Sequence, residues 1–401
     1  MTSNNSKSDL PGKLISPQMT SVRLSAIKEM AILSAKVEGV ASLAWGLPSF
    51  QTPENIRNGV IEQLDEDEDI GKYTLPDGLK ELRQLAADRH LRETGIAVDT
   101  DKNVMITAGN MQAVCNLLHV ISEPGKEIIL TDPCFSSHLQ QVQMSACKPV
   151  FWPLDEENGW SLDLDILPDL ITDATKAIVI VTPSNPTGKI FNERQLRRIG
   201  EIAKESGILV LIDDPYSQFI YENHSKYFNL ASVREYFDNM IYMFTFSKVF
   251  AMSGWRLGYM ILPEYLKSQV IKFHDLNMIC APRISQVAGV FALAGGAPHL
   301  PEFQSQLGKR RELICQRLDA VSHVFSYNKP EGAYYIFPRI LVEHVNAYDF
   351  CIDLLNKTKV TLTPGSAFGP SGEHHVRMSY CTDEDTINLA FDRIEQRFGK
   401  G

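Results

Sequence analysis

Short apolar runs alternate with amphipathic helical patterns along most of this 401-residue chain, and this alternation most constrains its fold. The apolar runs are rich in branched residues and are too short to be helices, so they predict buried strands. The helical patterns include residues 78–94 and residues 193–207, the second closed by Gly207. Alternation of this kind is typical of an α/β fold with a mostly parallel sheet. We therefore predict a three-layer αβα large domain with strands at residues 104–107, 127–130, 177–181, 208–212, 241–246 and 258–262.

The composition of the chain changes after a long charged helix predicted at residues 299–322. Two further strands and two helices follow, and they predict a smaller α+β domain. The strands are predicted at residues 332–338 and 375–380, and the helices at residues 347–357 and 383–398. The predicted division of the whole chain is a disordered tail (1–20), an N-terminal segment that joins the small domain (21–47), a large domain (48–298) and a small domain (299–401).

Charge and composition exclude several classes of function. The net charge of −10 argues against nucleic acid or an anionic membrane surface as a partner, because both attract positive patches. No apolar run approaches the roughly 20 residues that span a bilayer, and the polar N-terminus shows no signal-peptide core. The seven cysteines are scattered without a C-x-x-C pair, which predicts a reduced, cytoplasmic protein without a zinc site. No other metal-binding pattern is present.

The segment 247–259 places Lys248 after Ser247 and Arg256 eight positions later, inside an otherwise apolar run. Lysine and arginine are rarely buried without a partner. A lysine in an apolar pocket loses its preference for the charged form and becomes an amine nucleophile, whose natural partner is an aldehyde. The arginine and the hydroxyl suit a phosphate dianion. An aldehyde that carries a phosphate is pyridoxal 5′-phosphate (PLP), so these residues predict a PLP site.

Further candidate site residues follow the predicted strands. Gly109 comes after the first strand, Asn185 lies in a proline-rich turn after the third, and Asp213 ends the fourth. In open α/β sheets, ligands bind at the carboxyl ends of the strands. We therefore expect these residues to lie close to Lys248.

In combination, these motifs resemble the fold-type-I PLP enzymes, specifically the class I/II aminotransferases of the aspartate aminotransferase superfamily. The resemblance covers the chain from about Val22 to its C-terminus and rests on residues 46–48, Tyr73, residues 108–113, 185–188 and 213–216, Ser247, Lys248, Arg256 and Arg377. It implies an enzyme that moves an amino group from an L-amino acid to a 2-oxo acid by a ping-pong mechanism. It also implies a homodimer.

The resemblance assigns the cofactor groups to individual residues. Lys248 would hold the aldehyde as a Schiff base, and Asp213 would pair with the ring nitrogen, with Asp214 behind it or at the surface. Asn185 and Tyr216 would donate to the phenolic oxygen. The remaining cofactor residues are Phe135 against the ring, Gly109, Asn110, Met111, Ser247 and Arg256 at the phosphate, and Tyr73 reaching the phosphate of the partner subunit. Phe135 stands where the family often has tryptophan or tyrosine, and Asn110 and Met111 lack the hydroxyl often found in this phosphate loop.

On the substrate side, the resemblance assigns the α-carboxylate to Arg377, with Asn185 and the backbone of Gly46 nearby. Binding of the carboxylate would pull the small domain over the site, and Lys248 would then move the α-proton. No second arginine motif marks a dicarboxylate substrate, so the amino donor stays open. Lys13, Arg23 and Arg283 are expected to form surface salt bridges rather than to bind substrate.

Two alternatives to amino-group transfer stay open at this point. A PLP lyase or synthase, such as a carbon–sulfur β-lyase, an aminocyclopropane-carboxylate-synthase-like enzyme or a cyclase, would keep the same motifs. Release of ammonia without an amino acceptor would identify it. A PLP-sensing transcription regulator is the other alternative, but it needs an added basic DNA-binding domain, and only about 20 residues precede the resemblance.

Overall fold

An eight-stranded sheet forms the centre of the molecule, whose computed structural model describes residues 14–22, 24–221 and 227–399. Its strands, in chain order, are β1 (Val104–Thr107), β2 (Glu127–Asp132), β3 (Lys148–Asp155), β4 (Ser161–Leu162), β5 (Thr175–Val181), β6 (Leu209–Asp214), β7 (Met240–Thr245) and β8 (Gly258–Ile261). The spatial order is β1-β8-β7-β6-β5-β2-β3-β4. Only β8 and β4 run antiparallel to their neighbours, so the sheet is mostly parallel as predicted.

All six predicted strands are present, and each observed strand differs from its predicted range by at most two residues at either end. The two strands that the sequence did not predict are β3 and β4. Strand β3 contains Pro149 and Pro153 and is only partly buried, since it lies near the edge of the sheet. Proline lowers the strand signal of a run, and it is tolerated in a sheet mainly at edges.

Alternating side chains of the strands build two separate cores, one on each face of the sheet. In β5, Ile178 and Ile180 enter one core, whereas Ala177 and Val179 enter the other. A strand that is buried on both faces reads as a continuous apolar run, which is why β5 and β6 were predictable. The two cores make the large domain a three-layer αβα structure.

Helices cover both faces of this sheet. Those of the large domain are Glu54–Glu66, Lys80–Thr94, Thr100–Asn103, Asn110–Ile121, Ser136–Met144, Leu167–Leu170, Glu193–Ser206, Phe246–Val249, Glu264–Met278 and Arg283–Ala294, with 3₁₀ turns at Leu230–Ser232, Arg234–Asn239 and Ser253–Trp255. The predicted helix 193–207 is confirmed. It starts at a capping box formed by Asn192 and Gln195, and it ends at Gly207, whose φ of 67° favours glycine.

The C-terminal part of the chain contains the predicted helices Leu300–Asp319, Ala347–Thr358 and Glu384–Phe398. Strand Val376–Ser379 lies between Tyr335–Ile336 and Thr363–Pro364 in an antiparallel sheet. This part also contains the antiparallel pair Phe325–Ser326 and Arg339–Ile340, and the 3₁₀ turns Gly365–Phe368 and Pro370–Gly372.

The N-terminal segment packs with this C-terminal part. Strand Ala41–Ser42 pairs in parallel with Val360–Thr361, and helix Ala26–Ser34 precedes it. Helix Pro17–Ser21, capped by the side chain of Ser16, begins within the segment 1–20 that was predicted to be a disordered tail. Residues 1–13 of that segment lie outside the described residues, and domain boundaries at residues 48 and 299 stay a prediction. In the part of the chain that the structure describes, none of the helices combines the length and the hydropathy that a bilayer-spanning segment requires.

Candidate active site

A cavity of about 570 Å³ lies where the carboxyl ends of three parallel strands meet the C-terminal part of the chain. Val181 ends β5, Asp213 lies at the end of β6 and Thr245 ends β7, and all three line the cavity. Arg377 lines it from the opposite side, on strand Val376–Ser379. The cavity therefore occupies the position where α/β sheets bind their ligands.

The cavity brings together nearly all of the site residues that the sequence predicted. Those that line it are Gly46, Asn110, Met111, Phe135, Asn185, Asp213, Tyr216, Ser247, Lys248, Arg256 and Arg377. Gly109 is not among the lining residues, but it packs closely against the Arg256 guanidinium. Tyr73 does not line the cavity of its own chain, and its side chain is exposed.

Lys248 lies in the short helix Phe246–Val249, which follows β7 directly. The Thr245 side chain accepts a hydrogen bond from the Ser247 amide and so caps this helix at the end of the strand. The Nζ of Lys248 donates a 2.9 Å hydrogen bond to the carbonyl oxygen of Gly46. Burial, reinforced by the positive charges of Arg377 and Arg256, lowers the pKa of Lys248 to about 8. A substantial fraction of this amine is therefore neutral near physiological pH.

Asp213 is buried at the end of β6 and has two polar partners. The Nδ2 of Asn110 donates a 2.5 Å hydrogen bond to one carboxylate oxygen, and the Nε2 of His138 lies 3.1 Å from the other. Phe135 meets His138 edge-on, with ring centroids 5.1 Å apart. The carboxylate is thus held in a fixed position against the cavity.

The start of helix Asn110–Ile121 has the chemistry that suits an anion, because the first amides of a helix have no partner within it. Gly109 caps this helix with a φ of 80°, and a Cβ at this position would come within 2.7 Å of the Arg256 guanidinium. Arg256 itself adopts a left-handed φ of 51° and donates hydrogen bonds to the carbonyl oxygens of Ser253 and Ala108. Backbone amides and a guanidinium therefore converge beside Ser247, which lines the same cavity.

Arg377 is fully buried between the rings of Tyr335 and Phe368, with ring centroids 4.6 and 5.1 Å from its guanidinium carbon. It donates hydrogen bonds to the Asn185 side-chain oxygen at 3.1 Å and to the Ala44 carbonyl oxygen at 2.5 Å. Its Nε has no hydrogen-bond partner among the described residues. A buried guanidinium without a carboxylate partner, at the wall of a cavity, is suited to bind an anion.

Tyr335 connects several of these groups. Its hydroxyl lies 3.0 Å from that of Tyr216, and its ring packs against the Arg377 guanidinium. A Cβ at Gly46 would come within 2.0 Å of the Tyr335 hydroxyl, so no larger residue fits at position 46 without a shift. Burial raises the pKa of Tyr216 well above its usual value, which keeps its hydroxyl protonated as a hydrogen-bond donor.

Sequence reasoning missed His138 and Tyr335 as site residues. His138 lies in the first turn of helix Ser136–Met144, and only its spacing after Phe135 could have indicated it. Tyr335 belongs to a predicted strand, whose pattern does not show which tyrosine faces the cavity. The carboxylate of Asp214, which was expected behind Asp213 or at the surface, is buried and accepts hydrogen bonds from the hydroxyls of Tyr227 and Tyr242.

Of the three cations that were expected to form surface salt bridges, Arg283 pairs with Asp67 at 2.9 Å, in a partly buried position. It does not line the cavity. Lys13 and Arg23 lie outside the described residues.

The cavity residues fit PLP in chemistry. They provide an amine with a lowered pKa for the aldehyde, a fixed carboxylate for the ring nitrogen, and a helix N-terminus with a guanidinium for the phosphate. Bound PLP stabilises negative charge that develops on a substrate amino acid.

Comparison with known proteins agrees with this geometry. The family model for aminotransferase class I and II matches residues 38–394. The chain is 34% identical over 384 residues to aromatic-amino-acid aminotransferase 2 of Thermococcus litoralis. This match covers 95% of this chain and 97% of the relative. It is also 34% identical over 384 residues to an aspartate aminotransferase of Pyrococcus abyssi, with the same coverage of both chains.

Two solved structures are similar over nearly their whole length. Alanine aminotransferase from Pyrococcus furiosus matches with a TM-score of 0.89 and 30% identity, covering 96% of this chain and 99% of its own. Aspartate aminotransferase from Thermus thermophilus with maleate matches with a TM-score of 0.90 and 26% identity, covering 95% of this chain and 99% of its own. These relatives all transfer amino groups, which favours transfer over the lyase alternative. The chain thus belongs to the class I and II aminotransferase family and is a PLP-dependent transaminase that moves an amino group from an amino acid to a 2-oxo acid.

Proposed function

We propose that Lys248 is the catalytic residue of this transaminase and that it moves the proton at the α-carbon of the amino acid. The observation that carries this proposal is the position of its amine. Lys248 shares one cavity with Arg377, Asp213 and Arg256, and its pKa is lowered to about 8. A general base works best when its pKa lies near the operating pH, because it is then both available and strong enough to accept a proton.

The cofactor-binding roles follow from the partners of each residue. Asp213 holds the ring nitrogen of PLP, with Asn110 and His138 fixing the carboxylate. Asn185 and Tyr216 bind the polar edge of the ring, and Phe135 packs against it. Gly109, Met111, Ser247 and Arg256 hold the phosphate together with the N-terminal amides of helix Asn110–Ile121. The support for these roles is the shared cavity and the polar contacts described above.

Arg377 binds the α-carboxylate of the substrate in this proposal, with the Asn185 amide and the Gly46 backbone beside it. The guanidinium is already oriented by two ring contacts and by Asn185, so little side-chain entropy is lost when a carboxylate binds. The Gly46 carbonyl oxygen also accepts a hydrogen bond from Lys248. A carboxylate that binds beside Gly46 therefore places the α-carbon of the substrate close to Lys248. Orientation of this kind supplies a large share of the rate enhancement of many enzymes.

We also propose that the protein is a cytoplasmic homodimer and that Tyr73 reaches the phosphate site of the partner subunit. Tyr73 is exposed and does not serve its own cavity, and the neighbouring side chains of Ile61, Leu64 and Leu75 in this part of the sequence are at least half exposed. Apolar side chains of this kind are typical of a surface that is covered by a partner. All seven cysteines are free, which agrees with a reducing compartment.

The test is a single-turnover titration of the purified protein, loaded with PLP, by a panel of amino acids without any 2-oxo acid. The panel contains aromatic amino acids, aspartate and alanine, because relatives are named for these donors. A transaminase converts the absorbance of the lysine-bound cofactor to that of its amine form in one stoichiometric turnover. Persistence of the original absorbance while ammonia accumulates would instead identify elimination.

The oligomeric part has its own test. Sedimentation of the holoenzyme should give twice the mass of the 45.0 kDa chain. Tyr73→Phe should keep the dimer but weaken retention of PLP during dialysis, and a monomeric protein with full activity would contradict the proposal.

A further inference from the structure

The described residues that line the cavity carry an excess of positive charge. Four of them are lysine or arginine, and the only carboxylate is Asp213. That carboxylate already has His138 and Asn110 as partners. Under the proposed function, Arg256 serves the phosphate, Arg377 the α-carboxylate and Lys248 the proton transfer. The remaining cation, Lys28, therefore has no assigned partner.

Lys28 belongs to the first turns of helix Ala26–Ser34, which is capped by the side chain of Ser25. Its own amide donates to the Ser25 hydroxyl, so the backbone at this point is fixed. The side chain is exposed at the edge of the cavity, and within the described part of the chain it forms no ion pair. Among the described residues, this ammonium group at the edge of the cavity therefore has no anionic partner.

The Trp45 ring holds this ammonium group in place. The Nζ of Lys28 lies 4.8 Å from the ring centroid, within the range of a cation–π contact. Trp45 also lines the cavity, and it precedes Gly46, whose carbonyl oxygen binds Lys248. Two consecutive residues therefore orient Lys28 and Lys248. Lys28 and Lys248 thus both line the cavity and both contact the segment Trp45–Gly46.

We propose that Lys28 binds the side-chain carboxylate of a dicarboxylic substrate, meaning an acidic amino acid and the corresponding 2-oxo diacid. This inference rests on the proposed function, in which Arg377 takes the α-carboxylate. A substrate held there has one end of its carbon chain fixed, and Lys28 with the Trp45 ring provides a cation and an apolar wall for the other end. The ring supports the methylene groups, and the ammonium group donates to the second carboxylate.

The test compares Lys28→Met with Lys28→Arg in the PLP-loaded enzyme. Methionine keeps the unbranched side chain and the helix propensity but removes the charge, whereas arginine keeps the charge. Two quantities are measured. One is the binding of maleate, followed through the absorbance of the cofactor, and the other is kcat/KM for glutamate, aspartate and leucine as amino donors. Lys36→Met, which removes an exposed charge just beyond the same helix, is the matched control.

We expect Lys28→Met to weaken maleate binding and kcat/KM for the acidic substrates roughly tenfold, the effect of losing one charge-assisted hydrogen bond. The values for leucine should change less than twofold in every variant, and Lys28→Arg should retain most of the maleate affinity. Added salt should weaken maleate binding to the wild type more than to Lys28→Met.

Equal losses for glutamate and leucine, or unchanged maleate binding in Lys28→Met, would overturn the inference. A wild-type enzyme that turns over leucine but neither acidic substrate would also overturn it, while leaving the proposed function intact. Failure of the wild type to convert the cofactor with any amino acid would instead contradict the proposed function itself.

Discussion

The Nζ of Lys248 donates a 2.9 Å hydrogen bond to the carbonyl oxygen of Gly46, a residue 202 positions earlier in the chain. This contact joins the end of the central sheet to the N-terminal segment, which in turn pairs with the C-terminal part through strand Ala41–Ser42. The reactive amine is therefore placed by two separate parts of the fold. Several measurable consequences depend on this arrangement.

The first prediction concerns the stability of the cofactor-free protein. The pKa of Lys248 is lowered to about 8, whereas a lysine of the unfolded chain titrates near 10.5. Below pH 8, both states bind the proton and the folded state bears the full cost of the buried charge. Between pH 8 and 10.5, the unfolded state binds more protons, so this cost decreases as pH rises. Lys248→Met should therefore stabilise the apoprotein at pH 7 by up to about 3 kcal/mol, and by much less at pH 10.5.

The measurement for this prediction is the free energy of unfolding in denaturant at both pH values. Lys28→Met is a suitable control, because this lysine is exposed and its removal should have no comparable pH dependence. A gain that is equal at the two pH values would show that packing, not charge, is responsible. The same Lys248→Met variant should have no detectable amino-group transfer.

Arg377→Lys tests the second anchor. Lysine keeps the charge, but it loses the planar two-point geometry and the contacts with the Tyr335 and Phe368 rings. We expect KM for every amino acid donor to rise roughly 10- to 100-fold, the effect of losing one hydrogen bond to a charged group. Steady-state kinetics with at least two donors checks this. An effect confined to one donor would argue that Arg377 binds the side chain rather than the α-carboxylate.

Gly46→Ala should disturb the site through Tyr335. The added Cβ would lie 2.0 Å from the Tyr335 hydroxyl and 2.8 Å from the ring carbon that carries it. The overpacking should cost about 1–3 kcal/mol and lower activity. Tyr335→Phe removes the nearer clash, so the double variant should recover part of this loss. A double-mutant cycle of unfolding free energies measures the coupling, and strictly additive effects would contradict the proposed clash.

Asp213→Asn removes the carboxylate that is proposed to keep the PLP ring nitrogen protonated. The amide can still pair with Asn110 and His138, so the fold should be retained. We expect a roughly 10²- to 10³-fold loss in the rate of the single-turnover half-reaction, with little change in PLP content. Asp214→Asn is the matched control, since Asp214 contacts the hydroxyls of Tyr227 and Tyr242 rather than the cavity. Similar rate losses in both variants would contradict the assigned role.

Part of the site was predictable because some of its residues lie at or just after the ends of strands. Asn185, Asp213 and Lys248 follow apolar runs that are buried on both faces, and such runs are readily recognised. Parallel strands bring their carboxyl ends to one edge, so these residues had to converge. The strand β3 was missed, because its prolines and partial burial weaken the pattern.

The sequence alone determined the alternation of strands and helices, the order of the motifs and the chemistry of the lysine. These properties are local, because the hydrophobic period of a strand or helix and the type of each residue depend only on neighbouring positions in the sequence. Only the tertiary structure decided that His138 pairs with Asp213, that Tyr335 connects Tyr216 with Arg377, and that Lys28 packs on Trp45. These contacts depend on side-chain direction and on the packing of distant segments, and no periodic pattern in the sequence records either.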